Sequence, residues 1–412
     1  MRFFPGIFAT ILLLSPAFAQ EPKSVTVPVT LDHNRAVIDV YLPLPDGSTK
    51  RVRAWVNTGS TELTVSQRVG ELYGSLKCEG KTCVSSIPPE IQIGGMKISL
   101  AGMQSAHAPA GVPKDVMVAG MSPEITLPAS LLRNYDILVD YANRQFTIGP
   151  PDSVKFPGQA VKARIHPTGL VNITGRVQSD QVSLLLDTGS GISFVAADRF
   201  AKWHRAAPSL PYLRGAVGAA NLWGAPDEAS RELLRMPSIH LGASAVWGVV
   251  FASLPQATLN QINERVGADT HGLLGGEALR NCRVGIDYAH QTVYIDSVGH
   301  NAAPDMDVVG VTLHPETDGR FTVLAVLEFE GKPAVPEVKP GDTLIGVDGA
   351  PATGATLGQV WSLLGGTPGQ TRTLTLERDG KRFTVDARVQ RFLAAKTTTP
   401  VKSPRKTPHR RD

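Results

Sequence analysis

The sequence predicts a mainly β protein: two copies of one fold in tandem, followed by a smaller β domain. Three observations carry that prediction. Short apolar runs of Val, Ile and Leu recur between turn signals in a chain of 412 residues with 40 Gly and 31 Pro, while aromatic residues are few and long helical periodicity is absent. The chain matches itself at a spacing of 147: Leu132-Arg133-Asn134 with Asp140-Tyr141-Ala142 returns as Leu279-Arg280-Asn281 with Asp287-Tyr288-Ala289. One short motif also occurs twice, Asn57-Thr58-Gly59-Ser60 and Asp187-Thr188-Gly189-Ser190. Each copy closes an apolar run, Ala54-Trp55-Val56 or Leu184-Leu185-Leu186, that reads as a buried strand.

Residues 1–19 read as an export signal. Arg2 supplies the positive start, Ile7 to Leu14 the apolar core, and Ala17-Phe18-Ala19 the small-x-small cleavage pattern. The alternative is an N-terminal anchor, but this core falls well short of the roughly 20 residues that span a bilayer. No Cys follows the cleavage point to carry a lipid, and no later run is long and apolar enough to span. The mature chain is therefore expected in the periplasm or secreted.

Lobe one is expected over 24–150 and lobe two over 160–298, with Gly149-Pro150-Pro151 opening the linker. Each begins with a hairpin, Val40 to Val56 around Pro45-Asp46-Gly47 and Leu170 to Leu186 around Ser179-Asp180. The motif follows, then a variable segment, a Gly-turned strand pair, and a short helix leading into a final strand, Ile137 to Ile148 or Val284 to Ile295. Ile91-Gln92-Ile93-Gly94 matches Ile239-His240-Leu241-Gly242 at a spacing of 148, whereas the motif repeats at 130, so lobe two carries 18 extra residues between the two.

Cys78 and Cys83 lie either side of Glu79-Gly80, a loop that could close into a local disulfide in an oxidising compartment. Cys282 is left over in apolar surroundings and reads as a small buried side chain. The ten histidines show no metal-ligand spacing, and neither a metal nor a cofactor is expected. His271, beside Gly272-Leu273-Leu274, reads as a structural residue. The net charge of +4 is set by Lys396, Lys402, Arg405, Lys406, Arg410 and Arg411 against Asp412, so the folded body is close to neutral and offers no nucleic-acid surface.

With Leu185-Leu186-Asp187-Thr188-Gly189-Ser190 and the downstream Gly272-Leu273-Leu274-Gly275, lobe two resembles the retropepsin-like aspartic peptidases, in the tandem form of bacterial exported proteins. The resemblance extends over both lobes. It implies a peptide or protein substrate, Asp187 as the base that activates water, and a partner in lobe one that donates a proton to the scissile carbonyl. It also implies that Leu274 and Gly275 pack beneath the catalytic loop, that a short helix follows at Glu277 to Asn281, and that Thr188 and Thr58 hydrogen-bond across the lobe interface. Gly189 and Gly59 let the backbone turn tightly beneath the acid. Ser190 either hydrogen-bonds Asp187 or caps its own turn.

Lobe one departs from the family pattern at two positions: Asn57 stands where the first acid belongs, and Pro128 stands opposite Gly275. Asn is nearly isosteric with Asp and can donate a hydrogen bond, but it cannot carry a shared proton. Without a second carboxylate nothing of like charge raises the Asp187 pKa, so Asp187 is expected to be ionised through most of the pH range. Three outcomes follow: a weak peptidase using Asp187 with Asn57, an active site shared between two chains, or an inactive pseudo-protease that binds peptides. The resemblance also implies a cover over the site, in lobe two somewhere in Leu213 to Ser230, where Gly215, Gly218, Gly224 and Trp223 suit a mobile flap or a surface loop with one buried Trp.

From about 305 to 392 the chain resembles a PDZ domain, on Val338-Lys339-Pro340-Gly341-Asp342-Thr343-Leu344-Ile345-Gly346-Val347-Asp348-Gly349. The surroundings agree: a strand at Phe321 to Leu327, a helix at Leu357 to Leu364, and a hairpin from Thr371 to Val389 turning at Asp379-Gly380. The resemblance implies a β-sandwich-like domain with two short helices that takes a protein terminus or strand against Gly310-Val311-Thr312-Leu313, with Val360 and Leu364 facing it. A closed, structural PDZ is the alternative. The basic stretch 393–412 is expected to be a disordered tail.

Overall fold

The computed structural model describes residues 23–103, 105–215, 228–267, 269–299 and 306–394. The expected export signal and nearly all of the basic tail lie outside the described residues. The chain is mainly β, as expected. Among the described residues no helix is long and apolar enough to cross a membrane.

The duplication is visible in one sheet. Strands Val25–Pro28, Gln145–Gly149 and Asp136–Asp140 from the first half continue into Cys282–Asp287, Thr292–Ser297 and Gln159–Ile165 from the second. The seam is antiparallel, with Ile137 opposite Ile286 and Val139 opposite Val284, so the pair Leu138–Gly285 sits on a pseudo-twofold axis. A shift of 147 carries Leu138 onto its own partner Gly285 and exchanges the flanking pairs, Ile137 onto Val284 and Val139 onto Ile286, which is how a self-complementary interface must read. The expected single final strands are corrected here. In each lobe a four-residue turn splits the segment into a two-stranded hairpin, with Arg144 and Gln291 at φ 54° and 51° in the turns.

Each lobe builds its site on the same local plan. In lobe one the hairpin Arg35–Pro43/Thr49–Asn57 lies beside the parallel strand Ile125–Pro128; in lobe two Val171–Val177/Asp180–Leu186 lies beside the parallel strand Gly272–Leu274. The third strand is buried at every position in both lobes and apolar except at Thr126. One core runs through both lobes, from Ile38, Leu42 and Ile91 to Leu184, Met236 and Ile295.

Two helices in lobe two stand where the sequence offered no long helical period. Ala197–Ala206 buries Phe200 and Trp203, and Asp180 accepts hydrogen bonds from Arg199, Lys202 and the Trp203 indole. Gln256–Val266 ends on Gly267 in the left-handed conformation at φ 60°.

The C-terminal unit is a sheet in the order Val311–Pro315, Phe321–Val326, Thr343–Val347, Thr371–Arg378, Lys381–Arg388, with the helix Leu357–Leu364 packed on it. The turn at Gly341 is pinned by Asp342, buried and held by Arg378 at 2.6 and 2.8 Å. Among the described residues this unit has one helix where two were expected, because Pro333 and Pro336 interrupt the stretch before the turn. A second apolar cluster joins the unit to lobe two, bringing Met306, Val308, Leu327 and Phe392 against Leu185, Ile192, Phe194 and Leu213.

Candidate active site

The parallel strand pairs deliver the two motif loops to one point. Asn57 is opposite Pro128 at the end of its pair, and in lobe two the Asp187 N–H donates to Leu274 O at 3.0 Å just past the pair Leu186–Leu274. The loops are joined by their threonines, both fully buried. Thr58 Oγ1 donates to Leu186 O and Thr188 Oγ1 donates to Val56 O, each at 2.8 Å, while each hydroxyl accepts the other's backbone N–H, at 3.0 and 3.2 Å. Both threonine hydroxyls and both threonine N–H groups are satisfied away from water, which fixes the relative position of the two loops.

The glycines serve a purpose other than the one the sequence suggested. Gly59 and Gly189 are not among the positive-φ residues. A Cβ on Gly59 would fall on the Asp187 carboxyl, and one on Gly189 would fall on the Asn57 amide. Each glycine therefore makes room for the functional side chain of the opposite lobe, which brings the Asn57 and Asp187 side chains to the same seam. Gly275 is required by close backbone packing within its own lobe, since a Cβ there would strike Ile192 O; its N–H donates to Ser193 Oγ at 3.1 Å.

Asp187 Oδ1 accepts the N–H groups of Gly189 at 2.8 Å and Ser190 at 3.2 Å. The Ser190 hydroxyl donates instead to Ile192 O at 2.7 Å, so the expected bond from that hydroxyl to Asp187 is replaced by one from the backbone. The expectation of an ordinary Asp187 pKa is also corrected. Burial pushes the carboxyl up to about 6, against the lowering effect of the Gly189 and Ser190 N–H groups and the nearby Arg35 guanidinium. Desolvation does here what a second carboxylate does in a paired site. Asn57 is buried, and its Oδ1 accepts the Gly59 N–H at 3.1 Å, which leaves Nδ2 as the donor of the pair.

Arg35 is a site neighbour that sequence reasoning missed. It is buried, its Nε donates to Gly189 O at 3.1 Å, and Asn34 Nδ2 donates to Gly191 O at 3.3 Å, both across about 155 residues of chain. No local pattern marks such a pair.

The other expectations divide. Cys78 and Cys83 form a disulfide across the hairpin Lys77–Glu79/Thr82–Ser85, with Cα atoms 3.9 Å apart. Cys282 is buried and its thiol is pushed up to about 12 by desolvation. His271 Nδ1 accepts the Ser183 N–H at 3.0 Å, a structural role. The flap segment begins at the arms Tyr212–Arg214 and Glu232–Leu241, but Gly218, Trp223 and Gly224 lie outside the described residues. Among the described residues no three His, Cys, Asp or Glu side chains gather to hold a metal.

Gly310, Val311, Thr312, Leu313, Val360 and Leu364, expected to line a peptide groove, are all buried. The groove is closed at both ends. Val309 N–H donates to Leu364 O at 3.0 Å, and at the other end Leu357 N–H donates to Gly120 O at 2.7 Å, with Gly120 packed so tightly on Pro315 that a Cβ would not fit. Of the two readings, an open groove and a closed structural unit, the burial of these residues and the lobe-one loop packed where the strand and helix meet favour the closed one.

No protein-family model matches the chain, and no curated protein matches it. Among solved structures, the chain is similar to an aspartic proteinase from Irpex lacteus, with 16% identity over 68% of this chain and 99% of that one and a TM-score of 0.39. At that level the likeness carries no argument about the site, which stands on its own geometry.

Proposed function

We propose that the chain is an exported aspartic-type endopeptidase with one carboxylate, of the tandem retropepsin-like kind, carrying a closed PDZ-type domain as a structural module. The observation that supports this is the joint itself: two threonine-locked loops bring half-buried Asp187 against Gly59 and buried Asn57 against Gly189, with no Cβ on either glycine to exclude them. Ionised Asp187 takes a proton from a water whose oxygen attacks the scissile carbonyl carbon. The Asn57 Nδ2–H groups hydrogen-bond the developing oxyanion. Protonated Asp187 then returns its proton to the leaving nitrogen as the C–N bond breaks. Because Asn57 cannot supply a proton, activity requires ionised Asp187 and rises with pH through about 6.

The second reading is a peptide-binding pseudo-protease, favoured by the loss of one acid at Asn57. A diverse peptide library, assayed from acid to neutral pH with Asp187→Asn and Asn57→Asp beside the native protein, separates the two. Cleavage lost in Asp187→Asn supports the peptidase. Binding retained in Asp187→Asn with no cleavage by the native protein supports the binding module.

A further inference from the structure

Besides the apolar cluster that joins the C-terminal unit to lobe two, a polar route runs from that unit to the catalytic loop through one tight turn, Asp32-His33-Asn34-Arg35, with His33 and Asn34 at φ 49° and 64°. Its outer side belongs to the helix Leu357–Leu364. Asp32 Oδ1 accepts the Thr356 hydroxyl at 2.9 Å and the Gly358 N–H at 3.0 Å, and the ring of His33 meets Trp361 edge to face at 5.5 Å. A helix leaves its first N–H groups without intrahelical partners. Here Thr356 serves the Gln359 N–H, and lobe one serves the other two: Gly120 O takes Leu357 and Asp32 takes Gly358. The helix start is completed by lobe one.

The inner side of the same turn belongs to the Asp187 loop. Arg35 Nε donates to Gly189 O, Asn34 Nδ2 donates to Gly191 O, and the Asn34 carbonyl packs so closely on Gly276 that no side chain would fit there. Lobe two has the corresponding turn, in which Gly169 packs on Ala129 O of lobe one. Strand register aligns Arg35 with Leu170, because Val37 faces Trp55 where Asn172 faces Leu185, the residue 130 after Trp55. The contact between a turn and the opposite lobe is thus a property of the repeat. The charge and the link to a third unit are additions made on one side only, the side that faces the surviving carboxylate.

We propose that Asp32 is a positioning residue through which the C-terminal unit holds the Asp187 loop: the helix start fixes Asp32, and the rigid turn then fixes Arg35 and Asn34 on the Gly189 and Gly191 carbonyls. This deepens the peptidase reading, since it names what orders the catalytic loop. It does not depend on cleavage, because its consequence is the order and charge environment of residues 187–192. It also gives the C-terminal unit a role that needs no open groove. Desolvation raises the Asp32 pKa, against the lowering effect of Thr356, Arg35, Gly358 and Arg53.

The test uses the full chain and two readouts independent of cleavage: amide hydrogen exchange of residues 187–192, and the titration midpoint of Asp187 by carbon-labelled NMR. Asp32→Ala is expected to speed exchange in 187–192 on the order of tenfold and to raise the Asp187 midpoint as Arg35 moves off, while Asp32→Asn, which keeps an acceptor oxygen, restores exchange towards native. Thr356→Ala, a milder change on the opposite partner, is expected to act in the same direction. Exchange that quickens only around 30–36 and 356–360 in both alanine variants, with the Asp187 midpoint unmoved, overturns the proposal. A native protein that cleaves nothing would count against the peptidase and leave this result to stand or fall separately.

Discussion

The loops around Asn57 and Asp187 are the same piece of structure with different chemistry. Ser60 O accepts from Ala129 N–H at 2.7 Å where Ser190 O accepts from Gly276 N–H at 2.8 Å, and the two threonine bonds mirror each other. The differences are coordinated. In lobe two the Gly275 N–H is met by Ser193 Oγ; in lobe one Pro128 has no N–H to satisfy, and Leu63 stands where Ser193 would be. Donor and acceptor have gone together, as a buried site demands. Lobe one has kept the parts that hold the loops together and given up a carboxyl group, which shows that the joint and the acid are separable.

That separation can be broken or sharpened by substitution. The largest effect is expected at the acid: Asp187→Asn should lower peptide hydrolysis by about 10²–10⁴-fold, the range for a lost general base. Asn57→Asp should open activity on the acid side, because two carboxylates then share one proton and titrate as a pair. Next come the glycines. Gly59→Ala drives a methyl into the Asp187 carboxyl and should cost about 3 kcal/mol in denaturant unfolding, with Gly189→Ala similar through Asn57. An Ala that cost nothing at either position would mean the side chains do not meet at the seam.

The pH dependence of stability comes third. The folded pKa of Asp187, about 6, lies above its unfolded value of 3.8, so the folded state holds the extra proton between them. This contribution is fully present below the unfolded value and is lost as pH rises through about 6, leaving a cost of ~1–3 kcal/mol at neutral pH. Asp187→Asn should remove that cost, so thermal melts should show the variant gaining on the native protein at pH 8 but not at pH 3.5. The threonine joint should follow, with Thr58→Val and Thr188→Val each costing ~1–2 kcal/mol and the double change less than their sum. Unequal single effects would break the claimed symmetry. The smallest effect is expected at Cys78→Ser, about 1 kcal/mol, since the disulfide spans only a short hairpin.

How much of this was legible in the sequence follows from distance along the chain. The doubled motif, the hairpins and the helix Leu357–Leu364 are local patterns and are found where the residues place them. The helix Ala197–Ala206 was not, because only Phe200 and Trp203 are buried on it and two positions do not make a period. The threonine joint came through family resemblance. Arg35 and Asp32 could not be found, since their partners lie 154 and 324 residues away and neither pair belongs to a repeat. The raised Asp187 pKa was not legible, because it comes first from burial, which only the packed site reveals, and not from neighbouring charges that a sequence can be searched for.

The most direct measurement is the pH profile of kcat/KM for the native protein on a peptide it cleaves, with Asn57→Asp alongside. The account predicts a single ascending limb in the native protein with its midpoint near 6, and a bell on the acid side in the variant. A native profile that is already a bell with an acid optimum, or a rate indifferent to Asp187→Asn, would contradict it.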